Sequence, residues 1–177
     1  MHDTRIALIS TGGTVEKTYC DLKGVLSNDI SVLDVMLATM RLEGVEIERV
    51  RLMNKDSLEM TDADHELIAQ RAQDLAATHD GVVVVHGTDR LAVTGERLVK
   101  TLGVPRVPVV LTGAMVPYVM RNSDALQNLT EALLAVQVLT PGVYVVMHNR
   151  VLTFPGAVKD PVKGTFVPGD EAPNRSG

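Results

Sequence analysis

Three short stretches carry residues whose types could do chemistry. The first reads Ile9-Ser10-Thr11-Gly12-Gly13-Thr14, the second Val85-His86-Gly87-Thr88-Asp89, and the third Leu111-Thr112-Gly113-Ala114-Met115. Each follows an apolar run and then breaks into glycine and threonine. Glycine lets a ligand approach the main chain, where exposed N–H groups can hold an anion or a developing oxyanion. A threonine hydroxyl is a poor nucleophile until a base stands beside it. Two threonines near Asp89 are therefore parts for acyl transfer. Each stretch alone also has a plainer reading. Thr-Gly-Gly-Thr suits a tight turn, Thr88-Asp89 suits a helix cap before Arg90, and His86 suits a buried, hydrogen-bonded imidazole. None matches a P-loop or the six-residue dinucleotide fingerprint.

The elements that must position these stretches follow from the apolar pattern. Strand-like runs span Arg5 to Ser10, Glu46 to Met53, Gly81 to His86, Val107 to Thr112 and Val143 to His148. Runs such as Val82-Val83-Val84-Val85 are continuous rather than alternating, as in strands buried on both faces of a parallel sheet. Helical spacing recurs in Ile30, Leu33, Met36, Leu37 and Met40, and again in Leu67, Ile68, Ala72, Leu75 and Ala76 behind a cap at Thr61 or Asp62. Leu91, Gly95, Leu98 and Leu102 form a shorter stripe, and Ala125, Leu126, Leu129, Leu133 and Val136 a clear one. Strand–helix alternation predicts a doubly wound α/β fold, mostly parallel, with helices on both faces in three layers as in Rossmann or flavodoxin-like proteins. Right-handed crossovers then bring the three chemical stretches to one sheet edge. Val15 to Asn28 reads as a short hairpin or a mobile loop. Residues 1–167 are expected to form one domain and residues 168–177 a flexible tail.

Composition removes whole classes. The 177 residues include 17 basic and 22 acidic side chains, a net charge of −5, without a basic block. A polyanion binder would need the opposite balance, so nucleic acid is not an expected partner. Two Phe, three Tyr and no Trp make no stacking platform. The single cysteine, Cys20, excludes an internal disulfide and a cysteine-built zinc site, and the five histidines show no metal-ligand spacing. No metal or cofactor is expected. No apolar run nears the roughly 20 residues of a membrane helix, and the start of the chain lacks the apolar stretch of a secretory signal. A cytoplasmic protein without membrane association is the expectation.

In combination the motifs say more. Thr11-Gly12-Gly13-Thr14-Val15, His86-Gly87-Thr88-Asp89 and Gly113-Ala114-Met115-Val116-Pro117 stand in the order found in bacterial-type asparaginases and glutaminases. Asp56-Ser57-Leu58-Glu59-Met60 resembles that family's substrate-binding loop, and Val151-Leu152 followed by Lys159 resembles its lysine segment. The resemblance runs from about Thr4 to Lys159 and covers the family's larger, N-terminal domain. It suggests a short-chain, single-domain form that lacks the family's smaller C-terminal domain, with a fragment of a longer member as the alternative.

The resemblance implies hydrolysis of the side-chain amide of L-asparagine to aspartate and ammonia; the extra methylene of glutamine shifts its amide carbon relative to a fixed threonine, so low activity on glutamine is expected. It implies Thr14 as primary nucleophile and Tyr19 as the loop tyrosine beside it. It makes Thr88 the second catalytic threonine, partnered by Asp89 and Lys159. Ser57 and Glu59 would hold the amino-acid head of the substrate, and Gly13, Gly87 and Ala114 would line the substrate site. Val116 departs from the arginine that relatives often carry there. Apolar surface left uncovered by the missing domain leads us to expect a homodimer or homotetramer. A non-catalytic amino-acid-binding module derived from the same domain is the alternative, against which the retention of Thr14, Thr88, Asp89 and Lys159 argues.

Overall fold

The computed structural model describes residues 3–20, 25–27 and 32–173. In chain order the elements are β1 (Thr4–Gly12), β2 (Thr18–Cys20), β3 (Val25–Ser27), α1 (Leu33–Thr39), β4 (Val45–Lys55), α2 (Asp62–Ala76), β5 (Gly81–Val85) and α3 (Leu91–Leu102). There follow β6 (Pro108–Thr112), α4 (Ala125–Val138), β7 (Gly142–Met147), β8 (Arg150–Thr153), β9 (Ala157–Asp160) and β10 (Thr165–Pro168). Short 3-10 turns occupy Thr14–Glu16, Ser57–Glu59 and Gly169–Glu171.

Six strands form the main sheet in the order β4-β1-β5-β6-β7-β8. The first five run parallel and β8 returns antiparallel to β7. The five parallel strands are the five read from the apolar runs. β5 and β6 lie in the middle and are buried throughout, which explains their unbroken valine-rich sequences. β4 and β8 are the edges, and both are partly exposed.

Successive side chains of a strand point to opposite faces, so one β-branched run feeds two cores. Ala7, Ile9, Val82, Val84, Val109 and Leu111 face α2 and α3, packing with Ile68, Ala72, Leu91 and Leu98. Ile6, Leu8, Val83, Val85 and Val110 face α1 and α4, packing with Met36, Leu129 and Leu133. Each such fully buried aliphatic side chain contributes about 1.5–3 kcal/mol relative to exposure. The result is the expected three-layer α/β fold. Thr61 does cap α2, accepting from Asp64 N–H while the Asp64 carboxylate accepts from Thr61 N–H in a capping box.

Several stretches differ from the sequence reading or complete it. Within the segment from Val15 to Asn28, β2 and β3 pair in antiparallel register, Thr18↔Ser27 and Tyr19↔Leu26, as a hairpin requires, while residues 21–24 and Asn28 lie outside the described residues. Ile30 lies outside the described residues, and α1 begins at Leu33. In the expected tail, Pro168 closes β10 and Gly169–Glu171 forms a turn, while residues 174–177 lie outside the described residues. No helix of the described residues is long and apolar enough to cross a membrane.

Candidate active site

Because β1, β5, β6 and β7 run parallel, the loops that leave them gather at one sheet edge. Glycine lets these loops touch main chain to main chain. A Cβ on Gly13 would stand 2.6 Å from Gly87 N and 2.7 Å from Gly87 Cα. One on Gly87 would stand 2.7 Å from Ser57 Oγ. One on Gly113 would overlap the His86 carbonyl oxygen. Gly13 also holds φ +84° and ψ −172°, a conformation closed to residues with a Cβ. The Thr14, Ser57, Thr88 and Ala114 segments are thereby drawn into one cluster.

Lys159 reaches that cluster by a separate route. After β7 the chain doubles back through β8, and the Phe154 ring then packs over Gly95 of α3, where any Cβ would overlap it. Gly156 N–H donates to Glu96 Oε1 at 2.8 Å and fixes the start of the β9–β10 hairpin on the same helix. Lys159 lies in β9, opposite Phe166. Its Nζ donates to Thr88 Oγ1 at 2.9 Å and to Asp89 Oδ1 at 2.7 Å, closing a separation of 71 and 70 positions. Asp89 is thus an ion-pair partner and not a helix cap, and α3 has no side-chain cap. Thr88 is buried and Asp89 exposed, so the amine spans from the interior to solvent.

The remaining candidate residues are placed as follows. Thr14 is partly buried and begins its 3-10 turn. The Tyr19 side chain lies outside the described residues; its backbone belongs to β2. Ser57 is buried, and its Oγ accepts from Arg90 N–H at 3.3 Å. Asp56 Oδ1 accepts from Leu58 N–H at 3.0 Å, and its Oδ2 pairs with Lys17 at 3.1 Å. The Leu58 bond, aided by Lys17, holds the Asp56 carboxyl below its usual range. Glu59 is exposed on the same turn. The Ala114 methyl is fully buried in the core on the α4 side, so only its main chain can meet a ligand.

Sequence reasoning missed the cluster that shapes the third loop. Asp124 accepts from Met115 N–H at 3.0 Å, Val116 N–H at 2.9 Å and Asn128 Nδ2 at 2.9 Å. Asn128 Nδ2 also donates to Gly113 O at 2.9 Å, and His148 Nε2 meets Asp124 Oδ2 at 2.7 Å. Burial raises the Asp124 carboxyl, but the two main-chain donors and His148 outweigh it and hold the group below the ordinary range. The Asp124/Asn128 spacing of one helical turn was the available signal. Among the described residues no group of three or more His, Cys, Asp or Glu could hold a metal ion.

The family profile described as Asparaginase, N-terminal matches residues 5–160. The chain belongs to the asparaginase family. An L-asparaginase of Thermococcus kodakarensis is 36% identical over 152 residues, covering 84% of this chain and 45% of that protein. A subunit of the glutamyl-tRNA(Gln) amidotransferase of Haloquadratum walsbyi is 37% identical over 145 residues, covering 81% of this chain and 33% of that one. The solved thermostable L-asparaginase of Thermococcus kodakarensis superposes with a TM-score of 0.82 at 29% identity, covering 93% of this chain and 51% of that chain. The chain therefore spans about half, or less, of the length of the relatives it matches.

Proposed function

We propose that the protein is an L-asparaginase that hydrolyses the side-chain amide of L-asparagine by threonine-based double displacement. The observation that carries the reading is the Thr88–Lys159–Asp89 contact. It puts a hydroxyl, an amine and a carboxylate in one hydrogen-bonded line on the edge where Thr14 also lies. Thr14 is the primary nucleophile, and Tyr19 is the loop tyrosine that the family resemblance pairs with it. The Thr14 oxygen attacks the amide carbon, and N–H groups of the glycine loops stabilise the oxyanion. The carbon–nitrogen bond breaks, the nitrogen takes the proton that the Thr14 hydroxyl gives up and leaves as ammonia, and an ester remains on the threonine. The Thr88–Lys159 pair, hydrogen-bonded to Asp89, carries the proton of the attacking water to the Thr14 oxygen in the second step. Water then adds to the ester carbon and the threonine hydroxyl is regenerated as aspartate leaves.

Ser57 and Glu59 hold the amino-acid head, and Gly13, Gly87 and Ala114 contribute main-chain contacts. No cofactor or metal takes part. Glutamine places its amide one methylene further out, and a misplacement of about 1 Å costs on the order of 10²-fold in rate, so glutaminase activity is low. We assign residues 1–167 to one domain that works in the cytoplasm as a homodimer or homotetramer. The exposed Leu134 and Val138 on α4 support the association.

The relatives that are amidotransferase subunits favour a second reading, in which the same amide cleavage supplies nitrogen to a transfer reaction. Ammonia release measured side by side from asparagine and glutamine decides. Release from asparagine at least 10-fold faster supports the asparaginase reading. Equal or faster release from glutamine favours the second reading, and binding of asparagine without ammonia release contradicts both.

A further inference from the structure

Behind the Thr88 loop lies a buried chain of polar groups that the proposed chemistry does not use. His86 Nδ1 stands 2.7 Å from Gly87 O, and His86 Nε2 stands 2.7 Å from Thr94 Oγ1. Thr94 Oγ1 stands 2.6 Å from His65 Nδ1. All three side chains are fully buried. The direction of every proton follows from one end. A carbonyl only accepts, so His86 Nδ1 carries the hydrogen and His86 Nε2 is a bare acceptor. Thr94 must then donate to His86, and His65 Nδ1 must donate to Thr94. His65 Nε2 is left as a bare acceptor with no partner among the described residues. Burial holds His86 down to about 4 and also lowers His65, so both rings stay neutral, as this proton order requires.

We propose that His65, Thr94 and His86 are positioning residues that fix the Gly87–Thr88 peptide, and with it the Thr88 hydroxyl, from inside the core. His86 and Thr94 flank the loop that carries Thr88 and Asp89, one at the end of β5 and one in the first turn of α3. Their bond closes that loop at its base, and His65 ties the closure to the first turn of α2. The effect on the site passes through one planar unit. The carbonyl of Gly87 and the N–H of Thr88 belong to the same trans peptide and point in opposite directions. Pinning the carbonyl to the buried imidazole turns the Thr88 N–H away from the core. A slack peptide would let that donor and the neighbouring hydroxyl drift from Lys159. An apolar core would be cheaper here, because the chain ends in an unpaired buried acceptor.

This inference rests on the amidohydrolase reading, and two measurements separate their failures. Thr94→Val keeps the volume and removes the hydroxyl, while Thr94→Ser restores it. With asparagine as substrate, Thr94→Val is expected to lower kcat by about 10-fold to 10²-fold with KM little changed, and Thr94→Ser to recover most of the loss. The second measurement ignores activity. Imidazole nitrogen NMR of the unaltered protein should show His65 and His86 both as Nδ1–H tautomers, and the Thr88 amide should exchange faster in Thr94→Val than in Thr94→Ser. An inactive parent protein with these signatures sinks the asparaginase reading and leaves the positioning chain standing. Full kcat in a folded Thr94→Val, a Thr94→Ser variant no better than Thr94→Val, or an Nε2–H tautomer at His86 overturns the proposal. Should Thr94→Val not fold, the tautomers of the unaltered protein decide alone.

Discussion

Replacing Gly13 by alanine tests whether main-chain contact between loops builds the site. Two costs add. A Cβ residue at φ +84° and ψ −172° occupies a region that is essentially glycine-only, at about 1–3 kcal/mol. The new methyl also meets Gly87 N at 2.6 Å and Gly87 Cα at 2.7 Å. Those are main-chain atoms of the loop that carries Thr88, so no side chain can swing aside, and overpacking of this kind costs about 1–3 kcal/mol. The sum is about 2–6 kcal/mol. Gly44 supplies the control. It too has a positive φ, +70°, but a Cβ there has nothing within 4 Å. Gly44→Ala should cost only the backbone term, about 1–2 kcal/mol. The assay is urea unfolding of both variants, read as the midpoint at constant slope, with ammonia release alongside. Gly13→Ala should lose more stability than Gly44→Ala and should lose activity even where it is folded. Equal losses from the two variants, or full activity in Gly13→Ala, would refute the packing argument.

Lys159 and His86 lend themselves to simpler tests. Lys159→Met keeps the length of the side chain but removes the amine that meets Thr88 and Asp89. It should lower kcat by about 10²-fold to 10⁴-fold, while the melting temperature barely moves because the ion pair is partly exposed; an active variant would remove Lys159 from the proposed mechanism. The buried His86 should make folding sensitive to mild acid. In the unfolded chain it binds a proton below its ordinary 6.5, whereas the folded chain resists until about 4, so its contribution is complete above pH 6.5 and lost as pH falls towards 4. Across that window unfolding free energy should drop by about 3 kcal/mol, and a flat profile between pH 7 and pH 4.5 would contradict the neutral, buried ring.

Much of this architecture is visible in the residues because one physical pattern repeats. Val82 to Val85 and Val107 to Leu111 are unbroken apolar runs, and only a strand covered on both faces needs one. Glycine at three strand ends marked where loops had to approach one another. The chain beyond β7 was less legible. β8, β9 and β10 are four residues each, and Pro155, Gly156, Pro161 and Gly164 interrupt any period. Lys159 therefore read as one lysine among several until the family resemblance singled it out. The buried polar groups were hidden for another reason. Thr94 and His65 belong to different helices, and their meeting with His86 depends on how α2 and α3 pack. Asp124 likewise appears in sequence as an ordinary polar residue before a helix, although it holds two main-chain donors of the third loop.

The most direct test of the central claim is ammonia release from L-asparagine by the purified protein beside its Thr14→Ala variant. The expected result is steady release by the parent and loss of nearly all of it in a variant whose melting curve is unchanged. Undiminished release by folded Thr14→Ala would contradict the assignment of the nucleophile, and no release by the folded parent at millimolar substrate would contradict the proposed activity itself.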